Sequence, residues 1–205
     1  MGRSRLHTAP TAVMLTAAQA RAFLHVDHTS EDSEIADMIA AATGAVESWT
    51  RRALLTQVWE YTLDARGVAR LGDDAAPLGR TILSGAAIAL PRAPLRTIDL
   101  VQYTGTDDVA VTYSSTYYRA DTSSDSRGRM LFREGAALPA VRDLASFTIR
   151  YTAGYGDDAT AVPAQLRQAV RRMVAYLFEN RGDVPDQPPS SVAALLSGYR
   201  RVRVR

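Results

Sequence analysis

The hydrophobic period of this chain changes twice, and those two changes limit the folds open to it. Ile35, Met38, Ile39, Ala42, Val46 and Trp49 recur at i, i+3, i+4, i+7, i+11 and i+14, one continuous helical stripe. From residue 57 the period becomes two: in Val58-Trp59-Glu60-Tyr61-Thr62-Leu63 the side chains Trp59, Tyr61 and Leu63 share one side. Helical spacing returns after Pro163, where Leu166, Ala169, Val170, Met173, Val174 and Leu177 form the apolar stripe. Helices, then strands, then a helix, without repeated βαβ units, make an α+β chain. The expected architecture is a small helical bundle built from the N- and C-terminal helices, with an inserted antiparallel β region over about 57–152 and a flexible C-terminal tail.

Local signals place the elements. Thr16 and Gln19 have capping-box spacing, which predicts a helix over about 16–25. A longer helix follows over about 31–52. Glu31, Asp32, Glu34 and Asp37 crowd its start and Arg51 and Arg52 its end, the order that suits the helix dipole. Short strands are expected at 86–90, 98–103, 109–113, 116–120, 129–133 and 146–152. Pro91 and Pro94 mark an edge or corner, and the Gly- and Asp-rich stretch 65–85 reads as a loop. The last long helix spans about 163–181 and stops at Gly182. Residues 1–13 lack periodicity and read as a flexible arm, 14–182 as the folded domain, 183–189 as a proline-rich linker and 190–205 as a basic tail.

Composition removes several classes of function. At 205 residues, 46% of them hydrophobic, the chain is long enough to bury roughly 70% of its unfolded surface without a metal or disulfide. It has no cysteine, which excludes disulfide frameworks, thiolate zinc sites, iron–sulfur clusters and cysteine nucleophiles. No apolar run approaches the ~20 residues of a membrane span. Pro10, Thr11, Thr16 and Gln19 break any signal-peptide pattern, and Leu6 stands where myristoylation wants Ser or Thr. All 24 basic residues are arginine, which with the abundant alanine reads as the mark of a GC-rich genome. The net charge of +2 is too small to argue for nucleic acid, but residues 163–205 carry eight Arg against three acids.

A search for catalytic constellations is negative. There is no phosphate loop, no G-x-G-x-x-G after a strand, no G-x-S-x-G and no H-E-x-x-H. His25 and His28 flank Asp27 without a further ligand, so a helix terminus is the stronger reading than a metal. The pairs Asp73-Asp74, Asp107-Asp108 and Asp157-Asp158 sit beside Gly or Thr and read as turns. No enzyme activity, cofactor or metal is expected.

The C-terminal tail carries more information. One reading makes it a solvated, disordered end. The other starts from Leu195, Leu196 and Tyr199, which a segment that merely stays wet does not need. It adds Arg200, Arg201, Val202, Arg203, Val204 and Arg205, an alternation suited to an added strand on a partner. Burying three side chains at ~1.5–3 kcal/mol each falls short of the backbone entropy of ordering some sixteen residues, ~16–30 kcal/mol. The tail is therefore expected to be disordered when free and to order on a multivalent partner.

The order of several motifs resembles the head–tail connector (adaptor) proteins of tailed phages and related gene-transfer particles. The resemblance runs over about 14–182. It is carried by Leu15-Thr16, Phe23-Leu24-His25-Val26-Asp27, Glu31-Asp32-Ser33-Glu34-Ile35 and Arg52-Ala53-Leu54-Leu55-Thr56-Gln57-Val58-Trp59. Then come the corner Leu90-Pro91-Arg92-Ala93-Pro94-Leu95, Tyr151-Thr152-Ala153-Gly154-Tyr155-Gly156, Val162-Pro163-Ala164-Gln165-Leu166 and Tyr176-Leu177-Phe178-Glu179-Asn180-Arg181.

The resemblance implies a structural virion protein, assembled in the host cytoplasm as a ring of about twelve under the portal protein. Such a ring joins the capsid to the next neck or stopper protein or the tail. It extends a channel through which DNA passes without sequence-specific binding; no membrane is involved. Portal docking would fall to Leu195, Leu196, Tyr199 and Arg200–Arg205. In a ring, Glu34 and Asp37 of one subunit are candidates to face Arg167, Arg171 and Arg172 of the next, although a solvated helix face is the stronger reading of these charges. The alternative from another class is a small DNA-binding protein using the arginine-rich tail.

Overall fold

The computed structural model describes residues 2–65, 81–82, 85–125, 128–138, 140–180 and 183–200, and they fall into two compact units. One holds residues 10–56 and 154–205 and is helical; the other holds 1–9 and 57–153 and is built of strands. The chain is thus mixed α and β with antiparallel sheets, as expected.

In the helical unit α1 spans Ala17–Leu24 and α2 Asp32–Thr50. The capping box forms as read: Thr16 Oγ1 accepts from the Gln19 N–H at 3.2 Å, and the Thr16 N–H donates to Gln19 Oε1 at 3.0 Å. Both helices end on a non-glycine residue in the left-handed region, His25 at φ 58° and Arg51 at φ 56°. Ile35, Ile39, Ala42 and Val46 bury the stripe of α2. They share one core with Leu166, Ala169, Val170, Met173, Val174 and Leu177 of α3, Ala164–Glu179.

In the strand unit a five-stranded sheet runs in the order β1-β2-β10-β5-β6, every neighbour antiparallel. The strands are β1 Arg3–Thr8, β2 Gln57–Leu63, β5 Leu95–Thr104, β6 Ala110–Thr112 and β10 Phe147–Ala153. Phe147, Ile149 and Tyr151 are buried while Thr148, Arg150 and Thr152 are not, the alternation seen in the sequence. A three-stranded sheet joins β4 (Ala87–Ala89), β8 (Arg129–Phe132) and β7 (Tyr118–Asp121); β3 (Thr81–Ile82) pairs with β9 (Ala137–Leu138). Tyr113 links the sheets through rings: its centroid lies 6.2 Å from Phe132 and 6.1 Å from Phe147. Burial pushes its hydroxyl up to about 12. The corner at Pro91 and Pro94 lies between β4 and β5, with a cis peptide at Ala93–Pro94.

Two expectations need correction. Residues 1–13 are not an arm throughout: Arg3–Thr8 form β1, hydrogen-bonded along β2. A sheet edge is held by backbone pairing and does not need an apolar side-chain pattern, so the six residues gave no periodic signal. Nor are residues 190–200 a flexible tail. α4 spans Ser190–Leu196, a 3-10 turn follows over Ser197–Tyr199, and Val192 and Leu196 are buried in the helical core. Of the loop expected at 65–85, residues 66–80 and 83–84 lie outside the described residues, as does Gly182.

Candidate interaction surfaces

The C-terminal segment is fastened to the helical unit at three points. Arg52, 4% exposed just past the end of α2, donates from Nε to the Tyr199 carbonyl at 3.1 Å and from Nη1 to the Tyr155 hydroxyl at 2.7 Å. Its guanidinium also lies 5.3 Å from the centre of the Tyr199 ring. Arg172 donates from Nη1 to the Ser191 carbonyl at 3.2 Å. Val192 and Leu196, four residues apart on one helical face, complete the attachment from within the core.

This arrangement distributes the residues singled out for docking unevenly. Leu196 is 3% exposed and serves its own core; Leu195 and Tyr199 are half-buried against it; Arg200 is exposed. Arg201, Val202, Arg203, Val204 and Arg205 lie outside the described residues. The sequence marks Arg52 only as a helix-end charge and the head of a motif, and does not single out Val192. The i, i+4 spacing of Val192 and Leu196 was the available signal for the second, and Arg52 carried none beyond that.

The interface candidates stand on the surface of the helical unit. Glu34 and Asp37 are exposed on α2, Arg172 is exposed on α3, and Arg167 and Arg171 are half-buried there. The ion pair resolved at the start of α2 is instead Arg21 to Asp32, 2.7 Å.

In the strand unit, Glu60 of β2 carries two cations on the sheet face opposite Trp59. Arg5 reaches it at 2.7 and 2.8 Å and Arg150 at 3.3 Å. On the three-stranded sheet Asp121 accepts from the Ser123 hydroxyl at 2.5 Å and from Arg129 at 2.6 and 3.0 Å. These hydrogen bonds, the Ser123 hydroxyl first, hold its carboxyl down at about 2. Of the paired aspartates, Asp73-Asp74 lies outside the described residues, and the other two pairs sit in turns. Asp107 Oδ1 accepts from the Val109 N–H at 3.1 Å, and Asp158 Oδ1 accepts from the Thr160 N–H at 2.7 Å. His28 Nδ1 shares a hydrogen bond with the Ser30 hydroxyl. Among the described residues no group of three or more His, Cys, Asp or Glu is placed to hold a metal, and no helix is long and apolar enough to cross a membrane.

No protein-family model and no curated protein matches the chain. Solved structures do. A chain in the neck of an empty gene transfer agent (GTA) particle, computed with C6 symmetry, superposes with a TM-score of 0.77 at 27% identity, covering 99% of this chain and 97% of that one. A chain of the native GTA virion gives 0.72 at 26% identity over 98% and 97%. A chain in the neck of the native GTA particle, computed with C12 symmetry, gives 0.69 at 26% identity over 99% and 97%. The resemblance carried by the motif order is borne out by these likenesses.

Proposed function

We propose that this chain, alike over nearly its whole length to chains of gene-transfer-agent necks, is a structural neck protein of the head–tail connector kind, resident in the virion. Its work is to assemble as a ring under a portal protein, join the capsid to the next neck protein or tail, and prolong the channel for DNA. The observation that carries this reading is the two-way coverage: 99% of this chain and 97% of the GTA neck chain superpose, so the likeness takes in nearly the whole of both chains. The C6 and C12 symmetry of two of those necks supports a closed ring with about twelve copies.

Portal docking falls to the end of the C-terminal segment. Leu196 already has a partner in its own core, so the docking residues are Arg200 and the arginine–valine run after it, with Leu195 and Tyr199 at the margin. Subunit contact through the helices pairs Glu34 and Asp37 with Arg167, Arg171 and Arg172 of the next copy; each exposed pair contributes under ~1 kcal/mol, and repetition round the ring adds them.

Removal of residues 201–205 combined with Arg200→Glu tests the docking assignment without opening the core. The variant is expected to keep its thermal unfolding temperature and lose co-sedimentation with portal-bearing capsids. Undiminished co-sedimentation would contradict it. Salt-dependent binding to bare DNA that vanishes with the same change would favour the DNA-binding alternative instead.

A further inference from the structure

We propose that β1 of one copy pairs edge to edge with β6 of the next, so that the five-stranded sheet runs continuously from subunit to subunit. The inference rests on the ring reading and names the contact that closes it.

β1 and β6 are the two ends of the sheet; among the described residues each pairs on one side only. All six residues of β1 and all three of β6 are exposed. Free edges invite pairing with another chain and are usually guarded by proline, charge or extreme shortness. β1 has no proline, and its Arg5 guanidinium, although exposed, is paired inward with Glu60 of the neighbouring strand. Each edge also shows an apolar side chain, Leu6 at 44% and Val111 at 39% exposure.

Registers put these two side chains on one face. Leu6 lies opposite Trp59, which lies opposite Tyr151; Val111 lies opposite Tyr103, which lies opposite Phe147. Tyr151 and Phe147 are on the same, buried face of β10. A joined sheet therefore carries its apolar face across the seam. Direction agrees as well. Four successive antiparallel steps leave β1 and β6 pointing the same way, so head-to-tail copies pair them in parallel. Parallel pairing brings the start of β1, with Arg3, towards the Asp107-Asp108 turn that precedes β6. The contact is heterologous, with different surfaces on its two sides, and such contacts propagate until a rotation closes them.

The chain has no cysteine, so disulfide trapping reads this contact without background. Four interstrand steps of ~4.8 Å separate the edges by roughly 19 Å within one copy, too far for an internal bridge. Two double variants, Ser4→Cys/Val111→Cys and Leu6→Cys/Val111→Cys, are introduced into particles and treated with a mild oxidant. The expected result is a denaturant-resistant ladder of multimers from at least one of them and none from the single variants. Neck rings visible by electron microscopy, with only monomer from both double variants, would overturn strand pairing and leave the ring reading intact. Absence of rings in unmodified particles would overturn both. Amide exchange on the unmodified protein keeps the test open if the variants fail to fold: β1 and β6 amides are expected to slow on assembly, and unchanged exchange at both edges would overturn the pairing.

Discussion

Arg52 holds Tyr199 across 147 positions of sequence, through the carbonyl at 3.1 Å and the ring at 5.3 Å. Burying a guanidinium, which stays charged, is costly unless several partners meet it, and the C-terminal turn supplies two of them. Arg52→Ala is expected to cost about 2–4 kcal/mol in urea unfolding and to expose residues 190–200 to fast amide exchange while α2 and α3 stay protected. Arg52→Lys should rescue little, because a single ammonium cannot reproduce the forked contacts. Unchanged exchange at 190–200 would contradict the attachment.

Leu196 and Leu195 are adjacent but should behave differently. Leu196→Ala removes a buried side chain and should cost about 2–4 kcal/mol, a fall in Tm of roughly 4–16 °C for a chain of this size. Leu195→Ala should cost less than half as much. Equal, small effects in thermal melts would mean that the segment is not packed in the free protein.

Gly154 stands at φ +138°, and a Cβ there would collide with the Leu55 carbonyl and the Thr56 nitrogen. The Thr56 N–H is held by Gly156 O, and the backbone just before Leu55 is tied by the Tyr155 N–H donating to Leu54 O. Gly154→Ala is expected to cost at least about 2 kcal/mol or to prevent soluble expression. A variant as stable as the parent in denaturant titration would rule out this account of the motif.

Asp121 gives a pH signature. Its folded pKa, about 2, lies below the ordinary 3.8, so its contribution to stability is complete above about pH 4 and is lost as pH falls towards 2. Asp121→Asn should flatten the acid limb of the stability curve in that window and leave the neutral region parallel to the parent. A carboxyl resonance titrating near 4 in the folded protein would contradict the Ser123 and Arg129 hydrogen bonds.

Legibility followed the type of force involved. Where side chains repeat with an element's period, as in α2, α3 and β10, the residues announce the element. The Thr16–Gln19 box was readable because its hydrogen bonds are local. β1 was not, because Arg3–Thr8 is held by backbone pairing to a strand over fifty residues away. The order of the C-terminal segment is hidden for a related reason. Leu195, Leu196 and Tyr199 alone do not offset its chain entropy; Val192 adds burial, and the bonds from Arg52 and Arg172 come from distant positions. The interface candidates Glu34, Asp37, Arg167, Arg171 and Arg172 were readable as charged helix faces, but a partner's surface is not written in one chain's periodicity.

The central claim is a place in a particle, and location tests it most directly. The chain would be tagged in its native host and the label found on released particles by electron microscopy. Label confined to the neck between head and tail is the expected result. Intact tailed particles that carry no label, or carry it anywhere but the neck, would contradict the account.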